Sequence, residues 1–265
     1  MLRRSRLPIA LTVAGSDSGG GAGLQADLQT FGALHVHGTC VVTSLTAQNP
    51  RGVLAIQAAS NRMVARQLEA VFAELKPAAT KTGMLLSAPI IAEVAKWFRR
   101  ARGVPLVVDP VMVATSGARL LQPAAQRTLC RELLPLATLI TPNVPEAEAL
   151  LSGTLRDEDD LREAARALTA RFGCATLLKG GHLPGTREAT DIFYDGRVEL
   201  RLRAPRVRGL RTHGTGCTYA AAITAFLARG ESLISAVRKG KAYITAAIEG
   251  SQQVGRHQVL GWRKG

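Results

Sequence analysis

Aromatic residues are scarce in this 265-residue chain, at 4% of the total, and they are not interleaved with its basic residues. That argues against the stacking platforms on which single-stranded nucleic acids bind. No uninterrupted apolar run reaches the roughly 18 residues of a membrane-spanning helix. Cysteine is sparse too: Cys40, Cys130, Cys174 and Cys217 are widely separated, with no C-x-x-C pair and no histidine at metal-ligand spacing. Neither a zinc site nor a disulfide framework is expected, and a reducing, cytoplasmic setting fits best. Acidic residues number only 20 against 34 Lys plus Arg, for a formal charge of +14. Such a surplus favours anionic partners. The arginines are nevertheless spread along the chain, and the local set Arg201, Arg203, Arg206, Arg208 and Arg211 alternates as a solvated strand face does. The charge is read as surface that helps attract a nucleotide, not as a nucleic-acid interface.

What is present is 46% apolar residues, enough at this length to bury one substantial core, so a single domain over residues 1–265 is expected. The basic start, Met1 to Arg6, followed by apolar Leu7 to Gly15, imitates a secretory leader. The apolar stretch contains Pro8 and Thr12, however, and runs into Ser16-Asp17-Ser18-Gly19-Gly20-Gly21, as a strand delivering a ligand loop would.

Strand-length apolar runs alternate with stretches of helical period, the pattern of an α/β fold with a mainly parallel sheet covered by helices. Strands are expected at Leu7 to Ala14, Gly38 to Ala47, Gly52 to Ala58, Ala79 to Thr82, Leu106 to Val108, Leu139 to Ile140 and Thr176 to Leu178. Helical spacing follows the glycine loop at Leu24, Leu28, Phe31 and Leu34. It recurs over Met63 to Leu75 (with Ser60 and Asn61 as capping candidates), Ala88 to Arg102, Pro123 to Leu134 and Asp159 to Phe172. Asp195-Gly196 predicts a hairpin turn between Asp191 to Tyr194 and Val198 to Arg203. A small-residue loop, Thr212 to Gly216, then introduces two helices, Cys217 to Ala228 and Leu233 to Val254.

His213-Gly214-Thr215-Gly216-Cys217, just ahead of an apolar helix, is the richest motif. Glycines let main-chain N–H groups approach an anion, and the following helix aims about half a positive charge at the same point. At that helix start the Cys217 thiol pKa should fall, so that it could take the proton of an attacking hydroxyl. Lys179, ending a strand ahead of Gly180-Gly181-His182, could reach nucleotide phosphates. Asp109, Asn143 and Glu146 fall at the same sheet edge, where their oxygens suit Mg²⁺ held through water; a turn or helix cap is the alternative for each. The first glycine loop, Gly15 to Gly23, lacks the Gly-Lys-Ser/Thr ending of a P-loop and reads as a substrate lid or floor. Gln48, at a strand end, offers an amide donor beside an acceptor, which matches an aminopyrimidine edge. Asp27 could contact the substrate or lie exposed on the first helix turn.

Together, Ala14 to Gly23, Ala47-Gln48-Asn49, Lys81-Thr82-Gly83-Met84-Leu85, Val108-Asp109-Pro110-Val111-Met112, Thr141-Pro142-Asn143 and His213 to Cys217 resemble the hydroxymethylpyrimidine/phosphomethylpyrimidine kinases, in order and spacing, from about Leu7 to Val254. The resemblance implies a ribokinase-like fold, ATP and Mg²⁺ as cosubstrate and metal, and two successive phosphoryl transfers, to the hydroxymethyl group and then to its monophosphate, feeding thiamine synthesis. It implies further that Cys217 occupies the catalytic-base position and that Gly214, Thr215 and Gly216 form the anion hole. Lys179, Asn143 and Thr215 then serve the nucleotide, Asp109 and Glu146 the metal, and Gln48 the pyrimidine. Gly15, Ala22, Asp27, Met84 and Val111 correspond to pocket walls, and a homodimer is expected. The tail, Gly255 to Trp262, departs from the family's glycine- and histidine-rich ending. A pyridoxal or pyridoxine kinase on the same fold is the nearest alternative, and a non-catalytic ligand-binding regulator the more distant one.

Overall fold

The computed structural model describes residues 6–101, 103–112, 121–181, 188–207 and 213–262. Arg102, His182, Arg208, Arg211 and Thr212, each part of a sequence reading above, lie outside the described residues, as do residues 1–5.

The chain opens with β1 (Ile9–Gly15), a mostly apolar strand buried on both faces with Thr12 at its centre, then α1 (Gly23–Ala33), β2 (His37–Asn49) and β3 (Gly52–Ala58). Helix α2 (Asn61–Glu74) begins at Ser60, whose side chain accepts from the Met63 N–H and so satisfies one of the free donors of the first turn. Next come β4 (Ala79–Thr82), α3 (Ala88–Arg100), β5 (Leu106–Val108), α4 (Pro123–Thr128), β6 (Leu139–Ile140) and α5 (Val144–Leu151). Helix α6 (Glu158–Phe172) is capped by Asp157 and stopped by Gly173 in the left-handed conformation. The remainder is β7 (Ala175–Lys179), the antiparallel pair β8 (Glu188–Tyr194) and β9 (Glu199–Pro205), α7 (Thr215–Ala228), α8 (Leu233–Glu249) and a small hairpin of β10 (Gln252–Val254) and β11 (His257–Val259).

Among the described residues nine strands form one sheet in the order β3-β2-β1-β4-β5-β6-β7-β8-β9, parallel from β2 to β7 and antiparallel at both edges. This is the α/β architecture the alternating pattern predicts. One face packs on α2 to α6, with Leu11, Val13, Leu68, Ile91 and Leu168 in its core. The other packs on α1, α7 and α8 around Ala10, Phe31, Val107, Leu177 and Ile223. Helix α7 is buried on almost every side, which its Ala-rich, uncharged surface permits, with Thr224 Oγ1 satisfied by the Ala220 carbonyl oxygen.

Two sequence expectations are corrected and one helix is new. The helix over Pro123 to Leu134 is broken: α4 ends at Thr128, a π-turn runs over Leu129–Leu133 and a single 3₁₀ turn follows, since Pro135 lacks the N–H that would continue the helix. The last helix stops at Glu249 rather than Val254, at Gly250, and the chain turns back through the hairpin, with Gly255 at φ +58°. Helix α5 was not anticipated at all.

Candidate active site

Strands β1, β4, β5, β6 and β7 all point their carboxyl ends at one edge of the sheet, and the strand order reverses about β1, where open α/β sheets bind ligands. The first glycine loop, Gly83, Asp109, Thr141 and Lys179 are delivered there.

At the β5–β7 side, Lys179 Nζ donates to Asp109 Oδ1 at 2.8 Å, and the same oxygen accepts from Thr141 Oγ1 at 3.2 Å. A methyl group added at Gly216 would come within 3.2 Å of Lys179 Nζ and 3.6 Å of Asp109 Oδ2. The lysine, the carboxylate and the start of α7 thus meet at one point. Burial alone would lower the Lys179 pKa, but Asp109, then Glu146, more than offset it, and the ammonium is held charged. Gly214, in the left-handed conformation, caps α7. A side chain there is impossible, because its Cβ would sit 1.8 Å from the Gly21 carbonyl oxygen. In the first helical turn the N–H groups of Gly216 and Cys217 have no intrahelical partner and are placed to hold an anion.

Cys217 departs from expectation. Burial pushes its thiol up to about 11, outweighing the nearby Lys81 ammonium and the Gly23 N–H, which both act the other way. The thiol, not the thiolate, is the resting form. Beneath it lies a fully buried pair: Lys81 Nζ sits 3.0 and 2.9 Å from the two Asp27 oxygens, and Thr12 Oγ1 donates to Asp27 Oδ2 at 2.6 Å. Burial would discharge Lys81, yet the Asp27 carboxylate dominates and raises its pKa. Asp27 is therefore not exposed on α1, and both its oxygens are taken. Sequence reasoning gave Lys81 no role. Its signal was a lysine in the middle of a four-residue strand flanked by threonines, where an unpaired charge would be prohibitive.

At the β1–β2 side, Gly15 lies against Met84: an added Cβ would meet Met84 Cε at 2.5 Å and Ser44 Oγ at 2.7 Å. Ala22 is buried and its N–H donates to Asp17 Oδ2 at 2.8 Å, while Gly19 N–H donates to Asp17 Oδ1 at 2.8 Å. Asp17 also lies 3.2 Å from His213 Nε2, and that ring nitrogen is 3.0 Å from the Gln48 side-chain amide. Glycine loop, strand end and anion hole are thereby tied together, through two residues, Asp17 and His213, that were assigned no role from sequence. Val111 follows Asp109 with its N–H on the Asp109 carbonyl, 2.9 Å away.

Asn143 and Glu146 form a capping box on α5: Asn143 Oδ1 accepts from Glu146 N, and Glu146 Oε2 accepts from Asn143 N, both at 2.9 Å. Glu146 is also buried at the site. Burial raises its pKa to about 7; Lys179 opposes the rise and the Asp109 charge adds to it.

A charged lysine, a carboxylate and an unsatisfied helix start converging at the carboxyl edge of a parallel sheet define a phosphotransferase site on a ribokinase-like fold. The phosphomethylpyrimidine kinase model matches residues 17–261, and the chain belongs to that family. It is 51% identical over 248 residues to the hydroxymethylpyrimidine/phosphomethylpyrimidine kinase of Rhizobium meliloti, covering 93% of this chain and 92% of that one. The enzyme of the same name from Escherichia coli is 44% identical, with 90% of each chain covered. Among solved structures, a Clostridium difficile phosphomethylpyrimidine kinase aligns with a TM-score of 0.81 at 40% identity, over 92% of this chain and all of that one (100%). An ADP complex of Bacillus subtilis pyridoxal kinase aligns at 0.89 and 34% identity, over 98% of each.

Proposed function

We propose that this protein transfers the γ-phosphoryl group of ATP to 4-amino-5-hydroxymethyl-2-methylpyrimidine and then to the resulting monophosphate, in thiamine diphosphate biosynthesis. The observation that carries the reading is the meeting of Lys179, Asp109 and the Gly214 to Cys217 helix start, beside a Gln48 amide suited to an aminopyrimidine edge.

In this reading Lys179, Asn143 and Thr215 serve the nucleotide, and the N–H groups of the α7 start take the charge of the phosphoryl group in flight. Among the described residues no three His, Cys, Asp or Glu side chains form a metal cage. Mg²⁺ bound largely through phosphates and water needs only one or two carboxylates. Asp109 and Glu146 fit: both are buried, and the Asp109 charge makes Glu146 costlier to keep charged without a cation. When bound there, Mg²⁺ would neutralise phosphate charge. Gln48, Gly15, Ala22, Met84 and Val111 would orient the ring, with the Asp27–Lys81 pair as a charged floor. A Cys217 that rests as a thiol cannot be a preformed base. It holds the acceptor hydroxyl in line; only the minor thiolate form, its own proton already lost to solvent, can take the hydroxyl proton as the bond to phosphorus forms, so positioning carries most of the acceleration.

The protein acts as one domain in the cytoplasm, as a homodimer joined through the β2–β3 ribbon, where Leu45, Leu54 and Ile56 are exposed. A second reading, pyridoxal kinase, is favoured by the likeness to pyridoxal kinases with bound ADP or AMP-PCP and pyridoxal. The test is ADP release with Mg²⁺-ATP and, in parallel, hydroxymethylpyrimidine, its monophosphate, pyridoxine or ribose. Turnover of both pyrimidines is expected; turnover of pyridoxine alone would transfer the assignment to the second reading.

A further inference from the structure

His213 Nε2 lies 3.2 Å from Asp17 Oδ2 and 3.0 Å from the atom placed as Gln48 Nε2. One ring nitrogen cannot satisfy both neighbours as placed, since a carboxylate demands a donor and an amide NH₂ demands an acceptor. Asp17 decides the matter. Burial works to raise its pKa, but the bonds from His213, Gly19 and Ala22 leave it lowered, so it is ionised at neutral pH. His213 Nε2 then carries a proton, whether the ring is neutral or cationic. The amide atom facing it must be an acceptor.

The other end of the amide agrees independently. Thr46 Oγ1 lies 2.7 Å from the Ser16 carbonyl oxygen and 3.3 Å from the atom placed as Gln48 Oε1. The single hydroxyl proton goes to the carbonyl at the shorter distance, leaving a lone pair that calls for a donor from Gln48. Amide nitrogen and oxygen are near-identical in shape and are assigned by their hydrogen-bond partners. Both ends require the same half-turn of the amide.

We infer that Asp17 and His213 are specificity-determining positioning residues that lock the Gln48 amide with Oε1 toward His213 and Nε2 toward Thr46. This rests on the reading of Gln48 as the group that meets the substrate ring. A locked amide presents its remaining acceptor on the His213 side and its remaining N–H on the Thr46 side. A ring carrying an amino group next to a ring nitrogen then binds one way round only, with the amine toward His213. A ring without that amine forfeits the pairing. Among the described residues the relay joins the glycine loop, β2 and the residue ahead of the α7 start, so the orientation of the substrate-facing amide is set by one histidine.

Two measurements test this. In the unaltered protein without substrate, two-bond ¹H–¹⁵N spectra of ¹⁵N-histidine should show His213 protonated at Nε2; a neutral ring with its proton on Nδ1 overturns the inference. In kinetics, His213→Leu frees the amide to rotate and should raise KM for hydroxymethylpyrimidine about tenfold, the worth of one lost hydrogen bond, while KM for Mg²⁺-ATP moves within about twofold. His213→Gln, which can again offer an N–H, should recover most of the loss, and His213→Leu should narrow the preference over pyridoxine. An unchanged pyrimidine KM, or equal rises in both KM values, overturns it. If the unaltered protein turns over neither pyrimidine, the functional reading fails instead, and the histidine spectrum still decides the relay.

Discussion

A thiol at the first turn of a helix usually gains acidity from the N-terminal field. At Cys217 that field competes with desolvation and with the Asp27 and Asp109 carboxylates, and it loses. The sequence shows the helix start but not how deeply it is buried, so the thiolate expected there could not have been ruled out before folding was known. The consequence is kinetic. Cys217→Ala should slow transfer to the hydroxymethyl group by at least about tenfold and transfer to the monophosphate less, because only the hydroxyl must shed a proton at neutral pH. Single-turnover rates for the two acceptors check this, and a drop smaller than that in both would remove Cys217 from the mechanism. Lys81 and Asp27 illustrate the opposite kind of miss. Each is an ordinary charged residue in sequence, and only their contact across 54 positions makes them a buried pair.

At the scale of elements, α5 shows how a cap and a functional carboxylate coexist. Asn143 and Glu146 have the Asn-x-x-Glu spacing of a capping box, a signal readable in the sequence, yet eight residues gave too short a period to announce a helix. The longer helices were legible because apolar spacing over three turns leaves little ambiguity; the break after α4 was not, because the π-turn keeps a helix-like pattern. Glu146 also carries a pH dependence. Its carboxyl titrates near 7 in the folded protein against an ordinary 4.5, so between those values the folded chain holds one more proton than the unfolded chain. Stability from this group is therefore full below about pH 4.5 and is lost as pH rises through about 7. Glu146→Gln retains a capping partner but cannot titrate. Urea midpoints from pH 4.5 to 7.5 should fall more steeply for the parent than for this variant, and parallel slopes would contradict the assignment.

At the scale of the molecule, the mainly parallel sheet and the edge where chemistry gathers follow from alternating strands and helices, whereas the strand order does not. The way loops 15–23 and 213–217 touch does not, since it joins the two ends of the chain. The exposed ribbon of β2 and β3 is the surface where the whole molecule makes its own prediction. Leu54 is 81% exposed, and Leu54→Lys should convert the homodimer proposed above to a monomer in light scattering at micromolar concentration. A dimer that survives this change would place the interface elsewhere.

Helix α7 packs on α1, β1 and β4, over the Asp27–Lys81 pair. During synthesis those three partners leave the ribosome long before α7 exists. Until Ala228 has emerged, the emerging polypeptide carries two opposite charges in a half-built interior, open to water and unable to close. A truncated product ending ahead of α7 therefore loses more than its phosphate site: it lacks the cover of its own core, and its expected fate in the cell is aggregation or proteolysis.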